Sequence, residues 1–248
     1  MTLAPEARVA IDGHVRLLLA WNAAINLTAL RTPEQIARNH VLDSLVCVAA
    51  LRDLAAGRGR GTTPPSLIDI GSGAGFPGIP VAITMPTGRT AVVDSIGKKA
   101  RFLRIVANHV AEALYKGDQG PPEIAAIAER AEDLCRRHDQ RETWDLVTAR
   151  AVGTIAEVAE LGLPLARRGG HVINWKLDSG DGTVHREIAD ARRICQASGG
   201  GKPRIIRLAA ADRVGLAGHC LVAIEKRAPT PERYPRPAAE RRRAPLLS

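Results

Sequence analysis

A chain of 248 residues, 45% of them apolar, is long enough to bury a sizeable core as one large domain, or as one domain with a modest addition. Aromatics make up only 3%, so the core must rest on Ala, Leu, Ile and Val, and a reader of nucleic acid built on stacked aromatic platforms is excluded. The formal charge of +9 is concentrated at one end, where residues 226–248 hold Lys226, Arg227, Arg233, Arg236, Arg241, Arg242 and Arg243 against two acids, Glu232 and Glu240. Such a run fits either a polyanionic partner, through counterion release, or a solvated tail. Cys47, Cys135, Cys195 and Cys220 are widely spaced, with no C-x-x-C pair and no His at ligand spacing. They imply no metal site and no disulfide framework, but small buried side chains in a reducing compartment. No apolar run approaches the ~20 residues of a membrane span, and the N-terminus lacks a basic segment followed by an apolar one. A cytoplasmic protein with no membrane partner is expected.

In chain order, residues 4–56 carry apolar positions (Val9, Leu17, Leu18, Trp21, then Ile36, Leu42, Leu45, Val46) at three- and four-residue spacing, which predicts helices and no strand. These residues form an N-terminal helical extension, 1–56. The Gly, Pro and charge content of "GRGRGTTPP" marks 57–65 as a linker. From residue 66 short apolar runs alternate with amphipathic stretches: "SLIDI", "GIPVAIT", "TAVVDS", "KKARFLRIVANHVAEAL", "EIAAIAE", "AEDLCRRH", "WDLVTAR", "IAEVAELGLPLA" and "GGHVINWK". Strand and helix taking turns predicts a parallel sheet with helices on both faces. The last two strand-like runs, "RIIRLA" and "GHCLVAIEK", leave no room for a crossover helix and should pair antiparallel. An α/β fold of this kind, Rossmann-like and mostly parallel with an antiparallel last strand, is that of the class I methyltransferases. It is assigned to residues 66–228, followed by a basic C-terminal tail, 229–248.

The chemistry centres on "LIDIGSGAGFPGIP", residues 67–80. It fits two templates: Gly71, Gly73 and Gly75 make D-x-G-x-G-x-G, while Gly73, Gly75 and Gly78 make the G-x-G-x-x-G of a dinucleotide loop. Glycines after a strand let backbone N–H groups approach a ligand closely. Asp69 weighs against a dinucleotide, because a carboxylate there would repel a pyrophosphate, whereas the cationic S-adenosylmethionine would accept it near its ammonium group. Pro77 and Pro80 each remove a donor that a pyrophosphate could use. Asp94, nineteen residues after Gly75, ends the second strand where an acid can accept hydrogen bonds from ribose hydroxyls; the plainer role is to cap the helix that follows.

Beyond these elements, "WNAAINLTALR", "RNHVLDSL", "IDIGSGAGFPGIPVAI", "DSIGKKARFLR", "ERAEDL", "WDLVTARAV" and "TPERYPR" closely resemble the RsmG (GidB) ribosomal RNA small-subunit methyltransferases, over nearly the whole chain. The resemblance implies S-adenosylmethionine as donor and N7 of a guanosine in 16S rRNA as acceptor, the partner being that rRNA or a small-subunit particle; a monomer without a metal is expected. By position, it places Gly71, Ser72, Gly73, Gly75 and Phe76 around the cofactor, Asp94 at the ribose, Ala131 and Glu132 beside the adenine, and Arg150 and Lys176 toward the acceptor. His40, with Arg38 and Asp43, borders the acceptor site or is structural. Two positions depart from the family pattern, Val152 where Phe is frequent and Leu177 where Gly is frequent. His14, His109, His138 and His185 read as ordinary surface or helix residues, and Trp21, Trp144 and Trp175 as core. Lys98, Lys99, Arg101 and Arg104 contact phosphate or form a solvated helix face. A small-molecule methyltransferase and a noncatalytic RNA-binding assembly factor remain alternatives; the first leaves the N-terminal motifs idle and the second predicts no methyl transfer.

Overall fold

The computed structural model describes residues 2–56, 63–115, 117 and 122–244. Leu67–Ile70 (β1) and Thr90–Val93 (β2) are buried along their whole length, as continuous apolar runs must be when both faces of a parallel strand are covered. Ile124–Ile127 (β3), Trp144–Arg150 (β4) and Ala166–Leu177 (β5) continue the parallel set. His219–Glu225 (β7) runs antiparallel between β5 and Arg204–Arg207 (β6). The order is β3-β2-β1-β4-β5-β7-β6, so the expected antiparallel closing pair is present. The outer strand β6 exposes Arg204 and Arg207, and charge on an edge discourages further pairing.

The helices are Pro5–Ile25 (α1), Pro33–Ile36 (α2), Asp43–Leu45 (α3), Val48–Ala56 (α4), Gly78–Thr84 (α5), Gly97–Ala113 (α6), Ala131–Leu134 (α7), Ile155–Gly162 (α8), Thr183–Ala197 (α9), Ala209–Arg213 (α10) and Ala238–Arg243 (α11). Pro5 opens α1, where its missing N–H is harmless. A capping box between Thr32 and Gln35 starts α2. Between α2 and α3 the chain widens into a π-helical segment, Ala37–Leu42, a geometry that recurs at functional sites. The amphipathic run read over 131–138 gives only the single helical turn of α7, whereas α9 forms on buried Val184, Ile188, Ala191, Ile194 and Cys195.

Strand alternation divides the core. Ile68, Ile70, Val147, Ala149, Val172 and Ile224 face α8 and α9 in one cluster. Leu67, Leu146, Ile173 and Leu221 turn the other way, toward Val48, Leu51 and Leu54 of α4. On that side Ala10 and Leu18 of α1 join Ile79, Phe102 and Val106 in a third cluster. The N-terminal helices therefore share a core with α5 and α6 rather than standing apart; residues 57–62 of the expected linker lie outside the described residues. All four cysteines are buried and free, and Trp144 and Trp175 are buried. No described helix is long and apolar enough to cross a membrane, and no described cluster of His, Cys, Asp or Glu could hold a metal.

The C-terminal segment departs from a solvated tail. Arg236 makes a two-pronged bond to the buried Glu160 carboxylate, at 2.8 and 2.7 Å. Arg141 donates to the carbonyls of Thr230 and Tyr234 at 2.9 and 3.1 Å, and Arg241 bonds Glu132. Lys226 is fully buried, its Nζ 2.6 Å from the Leu163 carbonyl and 2.7 Å from Glu142. Much of the charge counted at this end is thus neutralised inside the fold.

Candidate functional site

In an open α/β sheet a ligand crevice forms beyond the carboxyl ends of the strands, where the strand order reverses. Here that point lies between β1 and β4. The glycine loop leaves β1 at Gly71, the acid Asp94 leaves β2, Ala131 follows β3, and Arg150 ends β4. The carboxyl ends of the strands thus gather residues as far apart in the chain as Gly71 and Arg150.

Gly71 and Gly73 both have positive φ, +68° and +56°, and both keep backbone surface accessible while the rest of the loop is buried. At Gly71 a Cβ would also lie 2.6 Å from a methyl of Val152. Gly73 donates its N–H to Asp94 Oδ2 at 3.1 Å, and Ile96 donates to Oδ1 at 2.9 Å. Asp94 therefore braces the loop across the crevice and shapes the turn into α6.

Four of the expected cofactor residues, Asp69, Ser72, Gly75 and Phe76, are buried. The Asp69 carboxylate has no exposure: Oδ2 accepts from Ser72 Oγ at 2.7 Å and Gly78 N at 3.1 Å, and Oδ1 from Thr148 Oγ1 at 2.8 Å. With both oxygens engaged beneath the loop, it orients the loop. Burial pushes its pKa up to about 6, against these three hydrogen bonds. The Ser72 hydroxyl is turned inward to Asp69, and Gly75 and Phe76 are buried. Phe76 is stacked against His14 at 4.6 Å and meets His40 at 4.8 Å. The surface left to a ligand belongs to Gly71 and Gly73, the 7% of Asp94 that stays exposed, and the apolar side chains of Val152 and of Ile96, a residue the motif reading passed over, 37% and 44% exposed.

Arg150 is held from the N-terminal side. Its guanidinium donates to Asp43 Oδ2 at 2.7 Å and to His40 Nδ1 at 3.0 Å, and lies 5.4 Å from the Phe76 ring centre. The same Nδ1 lies 3.1 Å from the Asn39 carbonyl, and the other ring nitrogen, Nε2, lies 2.8 Å from Thr28 Oγ1. Burial, and then the neighbouring Arg150 charge, lower the His40 pKa to about 4. Both ring nitrogens are occupied and the ring is neutral, so His40 positions Arg150 and is not a free base. The other Asp43 oxygen accepts from His219 Nδ1 at 2.6 Å. Thr28, His40, Arg150, Asp43 and His219 make one chain of bonds from the helices to β7. Nothing in the local sequence marks His219, since its partner lies 176 residues away.

Lys176 does not reach this chain. Its Nζ pairs with Glu187 at 2.7 Å and donates to the Gly153 carbonyl at 3.2 Å, while Glu187 also accepts from Ile155 N at 2.9 Å. The pair clamps the loop that follows Arg150. Ala131 packs on the core and Glu132 is tied to Arg241, which lowers the Glu132 pKa against the opposing effect of burial. The two departures from the family pattern both stand on the rim: Val152 over Gly71, and Leu177, 58% exposed, beside Gly218.

A family model described as GidB, rRNA small subunit methyltransferase G, matches residues 9–213. A curated protein named ribosomal RNA small subunit methyltransferase G from Roseiflexus sp. (strain RS-1) is 40% identical over 92% of this chain and 87% of its own length. One of the same name from Staphylococcus carnosus (strain TM300) is 34% identical over 100% of this chain and 94% of its own. Among solved structures, an O-methyltransferase from Bacillus cereus in complex with SAH is similar in fold, with a TM-score of 0.52 at 16% identity over 87% of this chain and 91% of that one.

Proposed function

The chain belongs to the GidB family of rRNA small subunit methyltransferases, and on that premise we propose that its acceptor atom is N7 of a guanosine and that Arg150 faces it. The protein is an S-adenosylmethionine-dependent methyltransferase of 16S rRNA. The observation that carries the site assignment is the crevice itself: accessible glycine backbone at Gly71 and Gly73 faces the Asp94 carboxylate at the point where strand order reverses.

The residues present fit the donor. Asp94 offers carboxylate oxygens to ribose hydroxyls, exposed Ile96 offers an apolar face to a flat ring, and the loop offers backbone at close range. Bound there, S-adenosylmethionine supplies an electrophilic methyl group. The protein's task is to place the acceptor in line with it, and proximity of that kind is worth several kcal/mol, up to about 7–11 in favourable cases. Guanine N7 has an in-plane lone pair and no proton to lose, so it needs no general base. The occupied nitrogens of His40 agree with that reading. Arg150, pinned by Asp43 and His40, presents the remainder of its fork to phosphate or guanine O6, leaving N7 unblocked. Glu132 and Ala131 line the adenine side, and Lys176 holds the acceptor loop.

The substrate is rRNA in a state that leaves the guanosine accessible, and the enzyme acts as a cytoplasmic monomer. The test is incubation with labelled S-adenosylmethionine and either naked 16S rRNA or 30S subunits from a strain lacking the modification. Label at guanine N7 is expected. Label elsewhere refutes the acceptor atom, and no transfer to either substrate refutes the reading.

A further inference from the structure

A histidine in the first helix turns up where the motifs give no reason to look. His14 lies on α1, is 1% exposed, and reaches across to the glycine loop, where its Nε2 meets the Ala74 carbonyl at 2.8 Å. Ala74 sits between Gly73 and Gly75. The ring also stacks on Phe76, with centroids 4.6 Å apart and planes 19° from parallel, and tilts against Phe102. A carbonyl only accepts, so Nε2 carries the proton. Nδ1 has no hydrogen-bond partner among the described residues, which leaves the Ala74 contact as the anchor of the ring. Burial lowers the pKa of His14 to about 4, and the Ala74 bond opposes that shift; the ring is neutral at physiological pH.

An apolar residue would satisfy the packing around Phe76 and Phe102. A histidine adds a donor for a backbone carbonyl in the middle of a loop rich in positive φ. A Cβ at Gly75 would come within 3.1 Å of His14 Nε2, so the ring and the loop backbone are in close contact. Phe76 also meets His40, the residue that holds Arg150. The two histidines thus both touch the loop's one aromatic side chain.

We propose that His14 is a positioning residue of the donor site: by holding the Ala74 carbonyl and bracing Phe76, it keeps the glycine loop in the shape that receives S-adenosylmethionine. This rests on the assignment of the crevice as the donor site. Two variants separate the interactions. His14→Phe keeps a ring on Phe76 without the donor, and His14→Gln keeps an N–H without the ring. Donor affinity is read by calorimetry, KM for donor and kcat by methyl transfer, and folding by thermal denaturation. For His14→Phe the expected result is a rise of about tenfold or more in Kd and KM for S-adenosylmethionine, equivalent to 1.4 kcal/mol, with kcat at saturating donor little changed; His14→Gln recovers most of the affinity. Native donor affinity in a folded His14→Phe protein would overturn the proposal, as would a greater loss in His14→Gln than in His14→Phe. If His14→Phe does not fold, His14→Leu takes its place: faster amide exchange at Gly73–Phe76 than in His14→Gln supports the assignment and equal protection overturns it. A wild-type protein that fails to bind S-adenosylmethionine would refute the donor site itself, a distinct outcome.

Discussion

Replacing Asp43 by Asn removes one negative charge and turns one of two acceptor oxygens into a donor. Asp43 is 3% exposed, with Arg150 at 2.7 Å on one oxygen and His219 at 2.6 Å on the other. At an effective dielectric of 20, the Coulomb attraction of the Asp43–Arg150 pair is about 6 kcal/mol. Desolvation offsets much of this, and removing one partner of a buried pair ordinarily costs about 3–5 kcal/mol. Asn retains one acceptor and the Arg150 side chain is 15% exposed, which places the expected loss at the lower end, about 3 kcal/mol. For a chain of this size that is a fall in Tm of about 6–12 °C. Released from Asp43, the guanidinium shifts relative to the acceptor, and a displacement near 1 Å can cost about a hundredfold in rate. Donor affinity should stay within about twofold, because Asp43 touches none of the loop residues that face the crevice. The assay is labelled methyl transfer alongside thermal denaturation and calorimetry with S-adenosylmethionine. Native Tm with native kcat/KM, or a rate loss wholly accounted for by donor affinity, would refute the reasoning.

Arg150→Ala should abolish rRNA methylation while S-adenosylmethionine still binds in calorimetry; unchanged methylation would remove Arg150 from the site. Lys176→Met breaks the pair with Glu187 at a cost of about 1 kcal/mol or less, a Tm change of about 2–4 °C at most, but should raise KM for RNA by loosening the loop after Arg150; unchanged steady-state kinetics would speak against the clamp. Asp69 gives a pH signature. Its folded pKa of about 6 lies above the ordinary 3.8, so between those values the folded state binds more protons than the unfolded one and stability falls as pH rises. The cost is complete above pH 6 and amounts to about 3 kcal/mol. Denaturant titrations of wild type against Asp69→Asn should show this slope in their difference, whereas a flat difference between pH 4 and 6 would contradict the assigned burial.

The glycine loop and Asp94 are legible in the sequence because each is fixed by local order, glycines just after a strand and an acid closing the next strand, whereas Arg150 is marked only by the resemblance to the family. The parallel sheet and its antiparallel end follow from the same alternation. What the sequence hides is pairing across distance. His14 occupies a helix position that looks ordinary, and only packing reveals Ala74, 60 residues away. His219 is one more residue at a strand start until Asp43 is brought beside it. The basic C-terminal run misleads for a related reason: a count of charge cannot show that Glu160 and Glu132 await Arg236 and Arg241. Asp69 is the subtler case, where the residue and its importance are legible but its direction is not. Helix α9 is obscured by the charges around its buried stripe at Val184, Ile188, Ala191 and Cys195.

The placement of β7 also bears on how the enzyme comes into being on a ribosome. The strand is synthesised after both of its neighbours, β5 and β6, yet lies between them, so β6 has no seat in the sheet until β7 has emerged. With β7 comes His219, which completes the grip on Asp43 made near the other end of the chain. A nascent chain that has released β1, β2 and α1 already possesses the glycine loop, Asp94 and His14, while the support of Arg150 is still incomplete. The side chains that brace the glycine loop are therefore translated well before the last residue that holds Asp43 against Arg150.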